Sequence, residues 1–235
     1  MKRESDLTVL SNHPNIHDNV KILTLPYGMI PNDMPYYFRN VRSLILTTST
    51  MASEFTSINP LSVLINVSNI RELCTGRYYY NQSSTFLNVL KQLPHVSSLK
   101  FIGEVLDEWH DNIELCAYLK QLHIKKLHIF PSFSYDQQSI TRQTCQLFPH
   151  VEEFNWEYSL VDSDLQLILE EFRKLSYLKI KYVGPSTESW IENNASSLNI
   201  RIECQSIVES YRYKRLMNNK DDFDVSEDNV YSLLH

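Results

Sequence analysis

LPHVSSLKF (Leu93–Phe101) and FPHVEEFNW (Phe148–Trp156) are one nine-residue phrase written twice: apolar, Pro, His, Val, two variable residues, apolar, variable, apolar. In an extended chain alternate side chains point the same way. The two closing apolar residues therefore fall on one face of a short strand. The proline ahead of them stops a helix and extends the residue before it. The phrase thus marks a passage from helix to strand.

A looser form of the phrase is N/H, V/I, two variable, apolar, variable, apolar. It recurs as NVKILTL from Asn19, NVRSLIL from Asn40, NIRELCT from Asn69, HVSSLKF from His95, HIKKLHI from His123 and HVEEFNW from His150. A degraded copy, KLSYLKI, starts at Lys174, and the copy at Asn69 closes on Thr75 instead of an apolar residue. These starts repeat at an irregular period of roughly 20–29 residues, the range of leucine-rich repeats. Strands this short are not stable alone, and parallel neighbours need a crossover between them.

The crossovers read as helices. SSTFLNVLKQL (83–93) aligns Phe86, Leu87, Leu90 and Leu93 on one stripe behind a serine cap. DNIELCAYLKQL (111–122) does so with Ile113, Cys116, Ala117 and Leu119 to Leu122. DSDLQLILEEFRKL (162–175) does so with Leu165, Ile168, Leu169 and Phe172. NPLSVLINV (59–67) places an asparagine cap before a proline at the first helical position. TESWIENNASSLNIRIE (187–203) reads as a last short helix and strand. SIVESYRYKRLM (206–217) carries a capping-box pattern and reads as a closing helix. The expected fold is an α/β leucine-rich-repeat solenoid, ribonuclease-inhibitor-like, with a parallel sheet on the concave face and helices on the convex face. Positions 1–18 are expected to form an N-terminal arm, 19–204 the domain of about seven irregular repeats, and 205–235 a closing helix and mobile acidic tail.

The W-I-E-N segment, the N/H-V-x-x-L-x-L phrases and the helices ending L-P-H-V or F-P-H-V together resemble the repeat region of F-box leucine-rich-repeat proteins, over roughly positions 19–210. The resemblance implies a substrate-receptor role. In that family the F-box holds a cullin–RING ubiquitin ligase through its Skp-type adaptor, and the repeats hold the target. The segment 1–18 ahead of the first copy contains no L-P-x-E-[IL] opening of an F-box, so the F-box is expected to be missing or lost.

Composition narrows the function classes. The 22 basic and 28 acidic residues leave a net charge of −6, which argues against nucleic acid as a partner held by overall basicity. No apolar run approaches the roughly 20 residues that span a bilayer, and the N-terminus carries no signal-peptide core, so a cytoplasmic or nuclear protein without a membrane partner is expected. On that reading the N-x-S matches at Asn66, Asn81 and Asn194 are chance. Cys74, Cys116, Cys145 and Cys204 form no C-x-x-C pair and read as buried thiols. The 4 glycines are scattered, so no phosphate-cradling loop is written here and no cofactor is expected. No nucleophile–base pattern occurs either, and Glu152 and Glu153, adjacent on a strand, point apart. The reading is a non-enzymatic scaffold for another protein.

By alternation the strands present Ser98, Lys100 and Ile102, then Lys126, His128 and Phe130, then Glu153, Asn155 and Glu157, then Tyr177, Lys179 and Lys181 away from the helices. Earlier copies present Ile22, Thr24, Ser43, Ile45 and Thr47. Lys100, Lys126, His128, Phe130, Asn155, Glu157, Tyr177, Lys179 and Lys181 are the candidate partner-binding residues, charged groups interleaved with aromatic anchors. His95, His123 and His150 share one slot of the phrase. Because Asn19, Asn40 and Asn69 fill it upstream, a hydrogen-bonding role at the turn into the strand is expected there, and no metal. The run GRYYYNQ (76–82) reads as a loop packing on its neighbour, with a partner hot spot as the sharper alternative.

Overall fold

The computed structural model describes residues 17–26, 37–47, 61–75, 83–130, 137–183, 185–194 and 199–206. Among them, eight strands form one sheet: β1 (Ile22–Pro26), β2 (Ser43–Thr47), β3 (Glu72–Thr75), β4 (Ser98–Ile102), β5 (Lys126–Phe130), β6 (Glu153–Leu160), β7 (Tyr177–Val183) and β8 (Arg201–Ser206). Every neighbouring pair is parallel and the strand order is the sequence order. The α-helices described in the crossovers are α1 (Ser83–Gln92), α2 (Val105–Asp111), α3 (Ile113–Gln121), α4 (Gln137–Leu147), α5 (Asp162–Glu171) and α6 (Pro185–Asn194). This is an α/β architecture compatible with a solenoid-like arrangement.

The register runs Ile22, Ser43, Glu72, Ser98, Lys126, Glu153, Tyr177, Arg201. Its first six steps are those of the repeated phrase, and the step on to the eighth strand equals the step between the sixth and seventh copies. The register is set just ahead of β2 to β7, where two successive amides donate to one carbonyl of the preceding copy, and ahead of β8 by the single bond from Arg201 N to Ser176 O. Arg42 and Ser43 share Lys21 O, at 2.8 and 3.1 Å. The same fork joins Arg71 and Glu72 to Arg42 O, Ser97 and Ser98 to Arg71 O, Lys125 and Lys126 to Ser97 O, Glu152 and Glu153 to Lys125 O, and Ser176 and Tyr177 to Glu152 O.

The closing apolar residues of the phrase face the helices. Leu44, Leu73, Leu99, Leu127, Phe154 and Leu178 lie in one row, and Phe101, Ile129, Trp156 and Ile180 in the next, all buried. The Val or Ile at the second position is buried too, at Val41, Ile70, Val96, Ile124 and Val151. Aromatic side chains fill the space between sheet and helices. Phe86 of α1 stacks on Trp109 of α2 at 4.5 Å, Phe101 tilts against the same indole, and Phe172 meets Phe154 edge-on at 5.2 Å. Such offset and edge-on contacts add to the area they bury.

Several expectations are corrected. NPLSVLINV yields no α-helix among its described residues. Leu61–Val63 and Val67–Asn69 are single 3-10 turns, the first held by Gln92 Oε1 accepting from Leu61 N at 2.8 Å. The asparagine and proline that open this stretch, at 59 and 60, lie outside the described residues. In α3, Leu115 and Leu119 form the buried stripe. Ile113 is 85% exposed and Ala117 is exposed, because at about 100° per residue both lie on the side of α3 away from the Leu115 and Leu119 stripe that faces the core. Helix α2 was not foreseen. It is a short element just after Gly103 that buries Val105, Leu106 and Trp109. Of the four cysteines only Cys74 and Cys145 are buried. Cys116 is half-buried on α3, and Cys204 is exposed on β8, beyond which no strand is described. The run at 76–82, positions 1–16 and the closing helix and tail from 207 onward lie outside the described residues.

Urea denaturation tests the alternation. Leu127→Ala should cost about 2–5 kcal/mol, as for other buried leucines. Leu127→Asp should cost more, because it also buries an unpaired charge. Lys126→Ala, next to it and facing outward, should stay within about 1 kcal/mol. An unshifted midpoint for Leu127→Asp would refute the register.

Candidate interaction surface

The sheet face turned away from the helices is built from the variable positions of each phrase. Its central row runs Thr24, Ile45, Cys74, Lys100, His128, Asn155, Lys179, Glu203. Lys126, Glu153, Tyr177 and Arg201 flank it on one side, and Phe130 and Glu157 on the other. The fold thus brings together Lys100, Lys126, His128, Phe130, Asn155, Glu157, Tyr177 and Lys179 on one face. Lys181 lies in β7, and its side chain is outside the described residues. Ser98 and Ile102, expected on the same face, are both buried, lying in register between Glu72 and Lys126 and beside Phe130 respectively.

Most charges on this face are spent on each other, across adjacent strands. Lys100 meets Glu72 at 3.1 Å, and Ser43 donates to the same carboxylate at 2.9 Å. Lys126 and Glu153, directly opposite in register, pair at 2.8 Å. The His128 ring nitrogen lies 2.8 Å from Glu157 Oε1, with both side chains about one-fifth exposed, and Phe130 covers the imidazole at 4.2 Å. The Tyr177 hydroxyl donates to Glu203 at 2.8 Å, Arg201 pairs with the same carboxylate, and its guanidinium lies 5.7 Å from the phenol ring centre. The bond from Tyr177, with Arg201 beside it, holds the Glu203 carboxyl below the usual range. The same bond holds the Tyr177 phenol above its usual range. Lys179 stands exposed, and the amide oxygen of Asn155, buried beside it in the ladder, has no hydrogen-bond partner. Cys74 sits in this row as an inert thiol, pushed up to about 11 by burial.

Sequence reasoning missed Glu72, which pairs with Lys100, and Arg201 and Glu203, which both meet Tyr177. They occupy the same phrase positions as Ser98, Lys126 and Lys179, so the signal was present. Applying the phrase to the copy at Asn69 and to the last strand would have found them.

At the turn into the strands the asparagine and histidine slots divide. Asn40 donates to Asp18 O and Asn69 to Arg39 O, both at 2.8 Å, so each amide grips the carbonyl just before the previous slot. His123 and His150 instead stack, 4.7 Å apart and 5° from parallel. Parallel rings do not converge their nitrogens on a shared point. Among the described residues, no group of three or more His, Cys, Asp and Glu side chains could hold a metal ion, and no helix is long and apolar enough to cross a membrane.

Comparison with protein-family models, with curated proteins and with solved structures found no match to this chain.

Burial, then the neighbouring His123 and Lys174, hold the His150 imidazole below its usual range. A histidine lowered on folding adds stability above its unfolded value near 6.5, and that stability is lost as pH falls through the folded value. Replacing the pair with the upstream residue, His123→Asn with His150→Asn, should therefore shrink the drop in melting temperature between pH 7 and pH 5. An equal drop in both proteins would show that the stacked pair carries no acid sensitivity.

Proposed function

We propose that this chain is a leucine-rich-repeat scaffold that binds another protein through the outward face of its strands. The observation that carries the reading is the continuity of that face. Seven strand spacings of about 4.8 Å and strands of about five residues give a surface of roughly 34 by 16 Å, the scale of a protein contact patch and larger than a small-molecule cleft. The exposed ion pairs on it, Lys126–Glu153 and Lys100–Glu72, each contribute about 0–1 kcal/mol and so exchange cheaply for a partner's groups. Lys179 stands exposed on the face, with Phe130 and Tyr177 as aromatic anchors on it.

The likeness of the repeat phrases to F-box proteins supports a second reading. In it, the bound protein is the target of an SCF-type ubiquitin ligase that the chain joins through a Skp-type adaptor. One experiment separates the two. Tagged chain purified from its native cell is scored by mass spectrometry, in parallel with Lys126→Glu/Lys179→Glu. A Skp–cullin pair among the retained proteins supports the receptor reading, and other partners without that pair support the plain scaffold. In either case the double variant should stay folded, with a melting temperature lowered modestly by the like charges it sets opposite Glu153 and Glu203, and lose at least about tenfold of the captured target, because hot-spot changes commonly cost more than about 1.4 kcal/mol. Undiminished capture would refute the assignment of this face.

A further inference from the structure

We infer that the edge where the chain enters β1, β2 and β3 is a second docking site, for a short acidic segment of a partner protein. It is built from Lys21, Arg42 and Arg71, with Arg39 beside them. The three are successive members of the row that carries the forks. The Lys21 carbonyl accepts from Arg42 and Ser43, and the Arg42 carbonyl from Arg71 and Glu72. The backbone thus sets three cations on adjacent strands, about 4.8 Å from one to the next. All three are exposed, and so is Arg39, whose carbonyl accepts from Asn69 Nδ2 at 2.8 Å. The inference does not rest on what the outward face of the strands binds.

The first observation is a contrast within the row. Further along it stand Ser97, Lys125, Glu152 and Ser176, and there Lys125 pairs with Glu152 at 2.9 Å. Side chains at successive places in the row therefore reach one another. On the outward face, too, Lys100 and Lys126 each meet a carboxylate. Among the described residues, no carboxylate pairs with Lys21, Arg39, Arg42 or Arg71. Like charges set side by side on neighbouring strands cost stability. The second observation is the posture of Arg71. Its Nη1 donates to Ser68 O at 2.7 Å and to Ile70 O at 3.2 Å, which holds the guanidinium against the turn Val67–Asn69. Nε and Nη2 remain, the side of the group that can grip a carboxylate with two parallel hydrogen bonds. A guanidinium already anchored loses little freedom when it binds.

The extent of the row selects the occupant. Lys21 and Arg71 are two strand spacings apart, about 10 Å. Beyond them the row turns neutral at Ser97 and then pairs its own charges. Nucleic acid is held by a longer track of phosphate contacts, and along this edge it would meet Glu72 and Glu152 on a chain of net charge −6. Two carboxylates on alternate residues of an extended peptide stand about 7 Å apart, within the span of these three long side chains.

The test titrates a fluorescein-labelled hexaglutamate peptide with the purified full-length chain in low-salt buffer and reads anisotropy. Binding should be saturable. Arg42→Glu should weaken it at least about tenfold, because it removes a charge-assisted bond and adds repulsion. Arg142→Glu, an equal change of net charge on the exposed side of α4, should change it less than about twofold. The absence of saturable binding, or equal losses in the two variants, overturns the proposal. Arg42→Glu should also melt no lower than the unsubstituted chain, since it sets a carboxylate between two cations. A lower melting temperature would show that Arg42 serves the fold, and overturns the proposal as well. Single-stranded hexathymidylate binding tighter than the peptide would overturn the choice of a polypeptide as occupant.

Discussion

The forked hydrogen bond ahead of six successive strands, β2 to β7, is the constraint on which the rest of this structure depends. Two successive amides share one carbonyl of the preceding copy, at Lys21, Arg42, Arg71, Ser97, Lys125 and Glu152. A one-residue slip in a strand exchanges its two faces, so register must be pinned wherever one face is buried. The fork pins it at the point of arrival, before any side chain packs. Crossovers of different length and content can then intervene without disturbing the sheet. One holds two helices, α2 and α3, while another shows only 3-10 turns among its described residues.

That division explains what was legible beforehand. The strand phrase is read by the fork and by the core together, so each position carries one meaning, and its steps matched the observed register. The crossovers are held only by apolar burial, which several local structures satisfy. Ile113 shows the difference. Its spacing suited one apolar stripe, but Leu115 and Leu119 supply the one that α3 buries, which leaves Ile113 in solvent. Leu61–Val63 shows it again, since residues read as part of a helix form a single tight turn.

The outward face was legible as a set of positions but not as a set of pairs. Alternation placed Lys126, His128 and Tyr177 correctly. It could not show that His128 reaches diagonally to Glu157 or that Tyr177 reaches Glu203, because diagonal partners depend on side-chain length and rotamer. Among the described side chains the surface interleaves four cations (Lys100, Lys126, Lys179, Arg201) with four carboxylates (Glu72, Glu153, Glu157, Glu203). Its discrimination between partners therefore rests on the pattern of charges and not on their sum.

The order of the strands has a consequence for how the molecule comes into being. Each strand pairs with the ones before and after it in sequence, and the close element contacts stay within the same or adjacent copies. No long excursion of chain has to return before the sheet can start. Loop closure is met in small instalments, one repeat at a time, so contact order stays low despite an all-parallel sheet. Such a chain can begin at whichever neighbouring pair of copies is most apolar and grow outward in both directions, copy by copy, as it leaves the ribosome.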